Sequence, residues 1–138
     1  MGYDNSFHLV QKYTSKPTEV VNGKTYYPVE VIATYEACGL SGDTELAFRD
    51  KNKATDLTFF DTFFKGWDKD GNEIWGCDYV TEDRYGEPLT EFTIPETIEI
   101  LRKAERKEHY RRHTPLLGML LAIDEAEWDT LRVLHYGH

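Results

Sequence analysis

Glu105, His109 and His113 recur at intervals of four residues in the last third of the chain. Residues four apart share one face of a helix, so two imidazoles and a carboxylate could hold zinc or iron there. A metalloprotease helix needs glutamate directly after the first histidine, and Tyr110 occupies that position. Nearby arginines and lysines raise the local positive potential, which opposes a divalent cation. A metal-dependent hydrolase is therefore only an alternative, and we expect no cofactor.

Basic residues are concentrated in the same stretch, which holds six of the 16 lysines and arginines within eleven positions. They are Arg102, Lys103, Arg106, Lys107, Arg111 and Arg112. Such a helix could contact phosphates, since lysine and arginine release counterions from nucleic acid, or it could dock on an acidic protein. A solvated helix face is the third interpretation. Nucleic-acid binding through Arg102 to Arg112 is thus a second alternative function.

Negative charge is concentrated between residues 36 and 91, where 14 acidic residues face six basic ones. Carboxylates along adjacent strands would present charge at spacings similar to those of phosphates, and interleaved aromatics would anchor an interface. A solvated sheet of ordinary acidic composition is the competing interpretation. The expected partner-binding residues are Trp67, Asp68, Asp70, Glu73, Trp75, Tyr79, Glu82, Asp83 and Tyr85, with Arg102, Arg106, Lys107, Arg111 and Arg112.

Two dipeptides predict the hairpins that would carry these acids. Asn22-Gly23 lies between β-forming residues and fits a two-residue type I′ turn, since both positions tolerate positive φ. Asp70-Gly71 is expected to join a strand from Leu57 to Trp67 with one from Ile74 to Val80. The expected facing pairs are Trp67 with Ile74, Phe64 with Cys77 and Trp75 with Gly66. Further strands are predicted at Val29 to Tyr35 and Leu89 to Thr93.

A helix is predicted to begin at Thr93. Thr93 and Glu96 fit a capping box, and Pro95 falls in the first turn, where no N–H is needed. From Glu105 to His113 every residue except Tyr110 is charged or imidazole, so this half of the helix should project into solvent. The core-facing stripe before it is Ile94, Ile98, Leu101 and Ala104.

The apolar run from Leu116 to Ile123 fits a central strand or a buried helix, and we favour the strand. Asp124 and Glu127 then fit the start of an amphipathic helix that reaches Tyr136. The apolar run is much shorter than the 18 residues of a membrane span, and the N-terminus has no secretory signal pattern. We therefore expect a cytoplasmic protein that does not bind membranes.

Known catalytic motifs are missing from the sequence. It contains no GxSxG, P-loop, GxGxxG or deaminase CxxC pattern. Cys38 and Cys77 lie 39 positions apart, and we expect two buried free thiols rather than a disulfide. Catalysis is thus not indicated.

With 138 residues the chain has the size of one domain, 1–138. The net charge of -9 argues against general nucleic-acid or membrane binding. The expected fold is α+β: an antiparallel sheet, a meander of about four to six strands, with a long helix after Thr93 and a shorter C-terminal helix packed on one face.

The expected function is that of a non-enzymatic acidic binding protein that occludes a surface of another protein, with nucleic-acid mimicry as one form of this occlusion. The start Met1-Gly2-Tyr3-Asp4 is similar to that of many small bacterial and phage proteins. The two exposed charge patches and the absence of a catalytic motif favour an accessory or inhibitor protein, which we expect to be of bacterial or phage origin. The identity of the partner does not follow from the sequence.

Overall fold

The computed structural model describes residues 4–12, 16–105 and 111–137 of the chain. Within these ranges the strands are β1 (Asp4–Gln11), β2 (Glu19–Val21), β3 (Lys24–Pro28), β4 (Glu30–Cys38), β5 (Leu57–Trp67), β6 (Glu73–Val80), β7 (Thr90–Thr93) and β8 (Leu131–Gly137). The helices are α1 (Gly42–Phe48), α2 (Ile94–Ala104) and α3 (Thr114–Glu125), with a 3₁₀ turn at Lys51–Lys53. The predicted α+β class is confirmed.

The strands form two four-stranded sheets. The first has the order β4-β1-β8-β7, and all its pairings are antiparallel. The second has the order β2-β3-β5-β6, and β3 pairs parallel with β5. The predicted single meander is therefore wrong. A meander joins sequence neighbours, whereas β1 pairs with β8 from the other end of the chain.

The first sheet is the middle of three layers. Phe7 and Leu9 of β1 belong to a core with the helices, whereas Val10 of the same strand belongs to a core with Phe59 of the second sheet. Successive side chains of a strand point to opposite faces, so this sheet is covered by helices on one face and by the second sheet on the other.

A buried histidine, His135, lies on the helix side of the first sheet. The Nε2 atom of His135 lies 2.5 Å from Asn5 Oδ1, and the ring stacks on Phe48 with centroids 5.6 Å apart. Burial lowers the pKa of His135 to about 3, and electrostatic interactions with Arg49 and His8 lower it further. His135 is therefore neutral at physiological pH.

The Asn22-Gly23 hairpin is confirmed. Both residues have positive φ, 52° and 80°, and Val21 of β2 pairs with Lys24 of β3 across the turn. This is the backbone geometry that a two-residue hairpin with right-handed strand twist requires.

The second hairpin, β5 and β6, is also present, but its predicted register is wrong. Trp67 pairs with Glu73 instead of Ile74, because Asp68 to Asn72 form a five-residue loop rather than a two-residue turn. A bulge between Phe64 and Gly66 shifts the pairing once more, so that Phe64 lies opposite Trp75.

Helix α2 begins as predicted. The Thr93 hydroxyl accepts the Glu96 N–H at 3.2 Å, and the Glu96 carboxylate accepts the Thr93 N–H at 3.0 Å. Lys53 forms an ion pair with the same carboxylate, and this contact is the main reason that the pKa of Glu96 is lowered. The whole predicted stripe is buried: Ile94, Ile98, Leu101 and Ala104.

The prediction of one long helix through His113 is wrong. Helix α2 ends at Ala104, and Arg111 has a φ of 52°, which is outside the helical region. The apolar stripe also ends at Ala104. The sequence after Ala104 offers no apolar face to bury, and packing of such a face supplies most of the stability of protein helices.

The predicted strand from Leu116 to Ile123 is wrong as well, since these residues lie in α3. Pro115 occupies the first turn of α3, and Leu116, Leu117 and Leu120 are buried at helical spacing. None of the helices in the described ranges is both long and apolar enough to cross a membrane.

The predicted C-terminal helix is replaced by β8, and Asp124 belongs to the last turn of α3. Strand β8 lies inside the first sheet and is covered on both faces. Leu131, Val133 and Leu134 are all buried, so the strict apolar-polar alternation that identifies a half-exposed strand is missing.

The prediction of buried thiols is wrong too. Cys38 at the end of β4 and Cys77 in β6 are both exposed, and neither is in a disulfide.

Candidate functional site

A cleft of about 470 Å³ lies between the two sheets. Strands β1, β4 and β8 line one wall, and β5, β6 and the segment after β6 line the other. Five carboxylates lie along it: Glu36, Asp61, Asp78, Glu82 and Asp83. Arg84 is the one lysine or arginine in the described lining, so the potential is strongly negative. We call this site the acidic cleft.

One wall of the acidic cleft carries a pair of like charges. Asp61 of β5 lies directly opposite Asp78 of β6 in the antiparallel register, and both residues are exposed. Asp61 Oδ1 accepts the Thr62 N–H at 2.8 Å, and Asp78 Oδ1 accepts the Tyr79 N–H at 2.7 Å. Like charges directly opposite one another destabilise a sheet. A cation bound between these carboxylates would remove that repulsion.

The opposite wall presents a row of three polar residues. Ser6 of β1 pairs with Glu36 of β4 on one side and with Tyr136 of β8 on the other. Residues directly opposite across neighbouring strands share a face of the sheet. The row therefore places a carboxylate and two hydroxyl groups across the cleft from Asp61.

Tyr136 presents a phenol group to this site. Its pKa is raised, chiefly by burial, while Arg84 lowers it and the carboxylates of Asp83 and Asp61 raise it. The phenol therefore stays protonated at neutral pH. Its ring is also suited to contact with a bound cation.

Aromatic rings meet at the base of the cleft. His8 is buried and packs against Phe59 with ring centroids 4.5 Å apart. Its Nδ1 lies 3.1 Å from Thr34 Oγ1, and its ring meets Tyr136 edge-on at 6.4 Å. The contact between His8 and Phe59 joins the two sheets within the cleft.

The loop from Asp83 to Glu87 shapes the rim of the cleft. Asp83 Oδ1 accepts the N–H groups of Tyr85 and Glu87 at 2.9 and 3.0 Å, and Gly86 has a φ of 79°. Glycine is favoured there because a side chain is strained at positive φ. The same carboxylate thus orders its own loop and adds charge to the cleft.

The loop at the tip of the second hairpin has the same hydrogen-bond pattern. Asp68 Oδ1 accepts the N–H groups of Asp70 and Asn72 at 2.8 and 2.9 Å, and Gly71 has a φ of 82°. These hydrogen bonds, chiefly that from Asn72, lower the pKa of Asp68. An Asp-x-x-Gly-x pattern therefore predicts both loops. The predicted two-residue turn at Asp70-Gly71 did not take this pattern into account.

The predicted partner-binding residues divide between two places. Tyr79, Glu82 and Asp83 line the acidic cleft. Those on the hairpin and beyond it do not: Trp67, Asp68, Asp70, Glu73, Trp75 and Tyr85. Trp67 and Trp75 are 63% and 54% exposed, and the Trp75 indole donates to Glu73 Oε2 at 2.9 Å.

The predicted basic residues are only partly described. Arg102 is exposed on α2 and Arg111 is exposed before α3, whereas Arg106 and Lys107 lie outside the described residues. The Arg112 guanidinium donates to the Cys38 carbonyl at 2.6 Å, so it binds the end of β4.

The proposed metal ligands are likewise divided. Glu105 is exposed at the end of α2, and His113 is 2% exposed, with no hydrogen-bond partner for its ring among the described residues. His109 lies outside them. Across the ranges that the structure covers, no three His, Cys, Asp or Glu side chains come together to hold a metal ion.

Sequence reasoning did not select Glu36, His8 or Tyr136. They lie far apart in the chain and meet only through the pairings of β1 with β4 and β8. Asp61 and Asp78 could have been found together, because they lie on the two strands of a predicted hairpin. The bulge and the five-residue loop obscured their register.

The chain matches no protein-family model, and no curated protein or solved structure is significantly similar to it. The comparisons therefore assign neither a family nor an activity. The chemistry of the acidic cleft is the basis for a functional proposal.

Proposed function

We propose that the protein is a non-enzymatic binding protein whose acidic cleft takes a lysine- or arginine-rich segment of another protein. The observation that supports this is the convergence of five carboxylates, from β4, β5, β6 and the segment after β6, on one cleft whose described lining has a single arginine. By covering a basic surface the protein would act as an accessory or inhibitor of its partner.

The like-charge pair favours a cationic ligand. Asp61 and Asp78 repel one another in the free protein, so a guanidinium or ammonium group between them gains attraction and relieves repulsion. A guanidinium can also bind a carboxylate through two parallel hydrogen bonds. The ring of Tyr136 lines the same cleft and offers a cation–π contact.

The dimensions favour side chains over a bare ion. A volume of about 470 Å³ lies within the range of sites that hold organic ligands. Surfaces that bind nucleic acid are rich in lysine and arginine, and the cleft presents carboxylates to such a surface in place of phosphates. Occlusion of a nucleic-acid-binding surface is therefore the form of inhibition that we propose.

Two other functions stay predictions, since part of each residue set lies outside the described ranges. Nucleic-acid binding would use Arg102 to Arg112, but Arg112 donates to the Cys38 carbonyl and the acidic cleft repels phosphates. Hydrolysis would use Glu105, His109 and His113. The described residues favour neither of these over binding of a basic segment.

The proposal is tested with a fluorescein-labelled peptide of alternating lysine and arginine, whose anisotropy reports binding. Affinity should fall as salt rises. Asp61→Asn should weaken binding about fivefold, equivalent to about 1 kcal/mol. Asp70→Asn changes the net charge equally but lies at the exposed hairpin tip, so it is the matched control.

Two results with the peptide would contradict the proposal. One is a peptide that does not bind at low salt. The other is equal weakening by Asp61→Asn and Asp70→Asn, which would mean that only net charge matters. A labelled oligonucleotide in the same assay tests the nucleic-acid alternative, and tight binding of that probe would also count against the cleft.

A further inference from the structure

Strand β6 leaves one edge open. It pairs with β5 on one side, and no strand of the described residues pairs with it on the other. Its eight residues, EIWGCDYV, contain neither proline nor lysine, the residues that commonly protect exposed edges from pairing. Exposed aromatic rings also lie along one face of the hairpin, including Phe60 at 59% and Trp75 at 54%.

We propose that this edge pairs with the same edge of a second copy of the chain. The two β6 strands would run antiparallel about a two-fold axis at Cys77, and the two second sheets would become one. Such an interface uses the same patch on both copies, as two-fold dimers do. Backbone hydrogen bonds would supply the pairing, as in other β-strand additions.

Side-chain pairing selects this register. An axis normal to the sheet places Cys77 opposite Cys77, and Trp75 opposite Tyr79 of the second copy, an aromatic pair that stabilises a sheet. Moving the axis to Asp78 would oppose two carboxylates. Moving it to Gly76 would oppose Ile74 and Asp78, an apolar and a charged side chain.

Charge complementarity supports the same register. Asp78 of the second copy would lie opposite Gly76, and Lys65 from the bulge of β5 covers that glycine. The Lys65 Nζ atom lies 3.0 Å from the position that a Cβ on Gly76 would occupy. The ammonium group is thus close to where the incoming carboxylate would lie, and two such contacts oppose the repulsion between two acidic chains.

The other sheet edges are less suited to self-pairing. Strands β2 and β7 have only three and four residues. Strand β4 is longer, but the Arg112 guanidinium binds the carbonyl at its end. Strand β6 combines length with a self-complementary side-chain pattern.

Disulfide trapping tests the proposal. Opposed residues of antiparallel strands have Cα atoms about 4.5 or 5.5 Å apart, a separation that a disulfide spans. With diamide as oxidant, two Cys77 thiols lose their hydrogens to diamide and form one S–S bond. Cys38→Ser, which keeps Cys77, should form a crosslinked dimer, and Cys77→Ser, which keeps Cys38, should not.

A charge variant tests the pairing of the β6 edges without covalent crosslinking. In sedimentation velocity the wild type at high concentration should approach twice 16.1 kDa. Cys77→Lys would oppose two ammonium groups and should stay monomeric. Thr62→Lys is the matched control, because Thr62 pairs with Cys77 from β5 and lies on the same face, one strand from the edge.

The proposal is overturned if the wild type stays monomeric at every concentration and Cys38→Ser gives no crosslink. It is equally overturned if Cys77→Ser crosslinks as readily as Cys38→Ser, or if Cys77→Lys still dimerises. Binding of the basic peptide by a strictly monomeric protein would reject the dimer and leave the acidic cleft proposal intact.

Discussion

Replacing Asp61 by Asn should stabilise the fold while it weakens binding in the acidic cleft. Opposed residues of an antiparallel pair have Cβ atoms about 4.5–5.5 Å apart. Two unit charges about 5 Å apart in water repel by about 0.8 kcal/mol, and screening at physiological ionic strength reduces this to about 0.5 kcal/mol. The Asn amide oxygen can still accept the Thr62 N–H. The free energy of unfolding should therefore rise by about 0.5 kcal/mol.

Urea unfolding of Asp61→Asn, Asp78→Asn and the double variant measures this repulsion. The free energy of unfolding of each single variant should exceed that of the wild type at low salt, and the difference should disappear at high salt. The double variant should gain no more than either single variant, because the first substitution already removes the repulsion. A loss of stability in Asp61→Asn, or full additivity in the double variant, would refute the reasoning.

Three further predictions concern residues outside the cleft. His135 takes up a proton near pH 6.5 in the unfolded chain but only near pH 3 in the folded chain. The free energy of unfolding should therefore fall as the pH drops below 6.5, by about 2 kcal/mol at pH 5. Urea unfolding at pH 7.5 and 5 measures this fall, and His135→Gln should remove the contribution of His135 to it. Thr93→Ala should cost about 1 kcal/mol in urea unfolding, since it removes one half of the capping box of α2. Gly71→Ala should lower the melting temperature because of its φ of 82°, whereas Gly118→Ala, in an open position on α3, should raise it.

Elements with local signals were predictable from the sequence. The Asn22-Gly23 turn and the capping box at Thr93 each depend on contacts within four residues, and the structure has both. The end of α2 was not predicted, although the apolar stripe stops at Ala104. The pattern of charges alone does not show where a helix without a buried face ends.

Elements whose surroundings come from distant segments were not predictable. Strand β8 is covered by helices and by the second sheet, so Leu131, Val133 and Leu134 are all buried and carry no alternation. The acidic cleft is likewise formed by segments that are distant in the sequence. Glu36 and Tyr136 reach it only because β1 pairs with both β4 and β8, and no local pattern indicates those pairings.

A ¹H–¹⁵N NMR titration with the unlabelled lysine-arginine peptide tests the central proposal most directly. The largest amide shift changes should fall on both walls of the acidic cleft, at Ser6 and Tyr136 on one side and at Asp61 and Asp78 on the other. Changes confined to the hairpin tip around Asp70, or no changes at low salt, would contradict binding in the cleft.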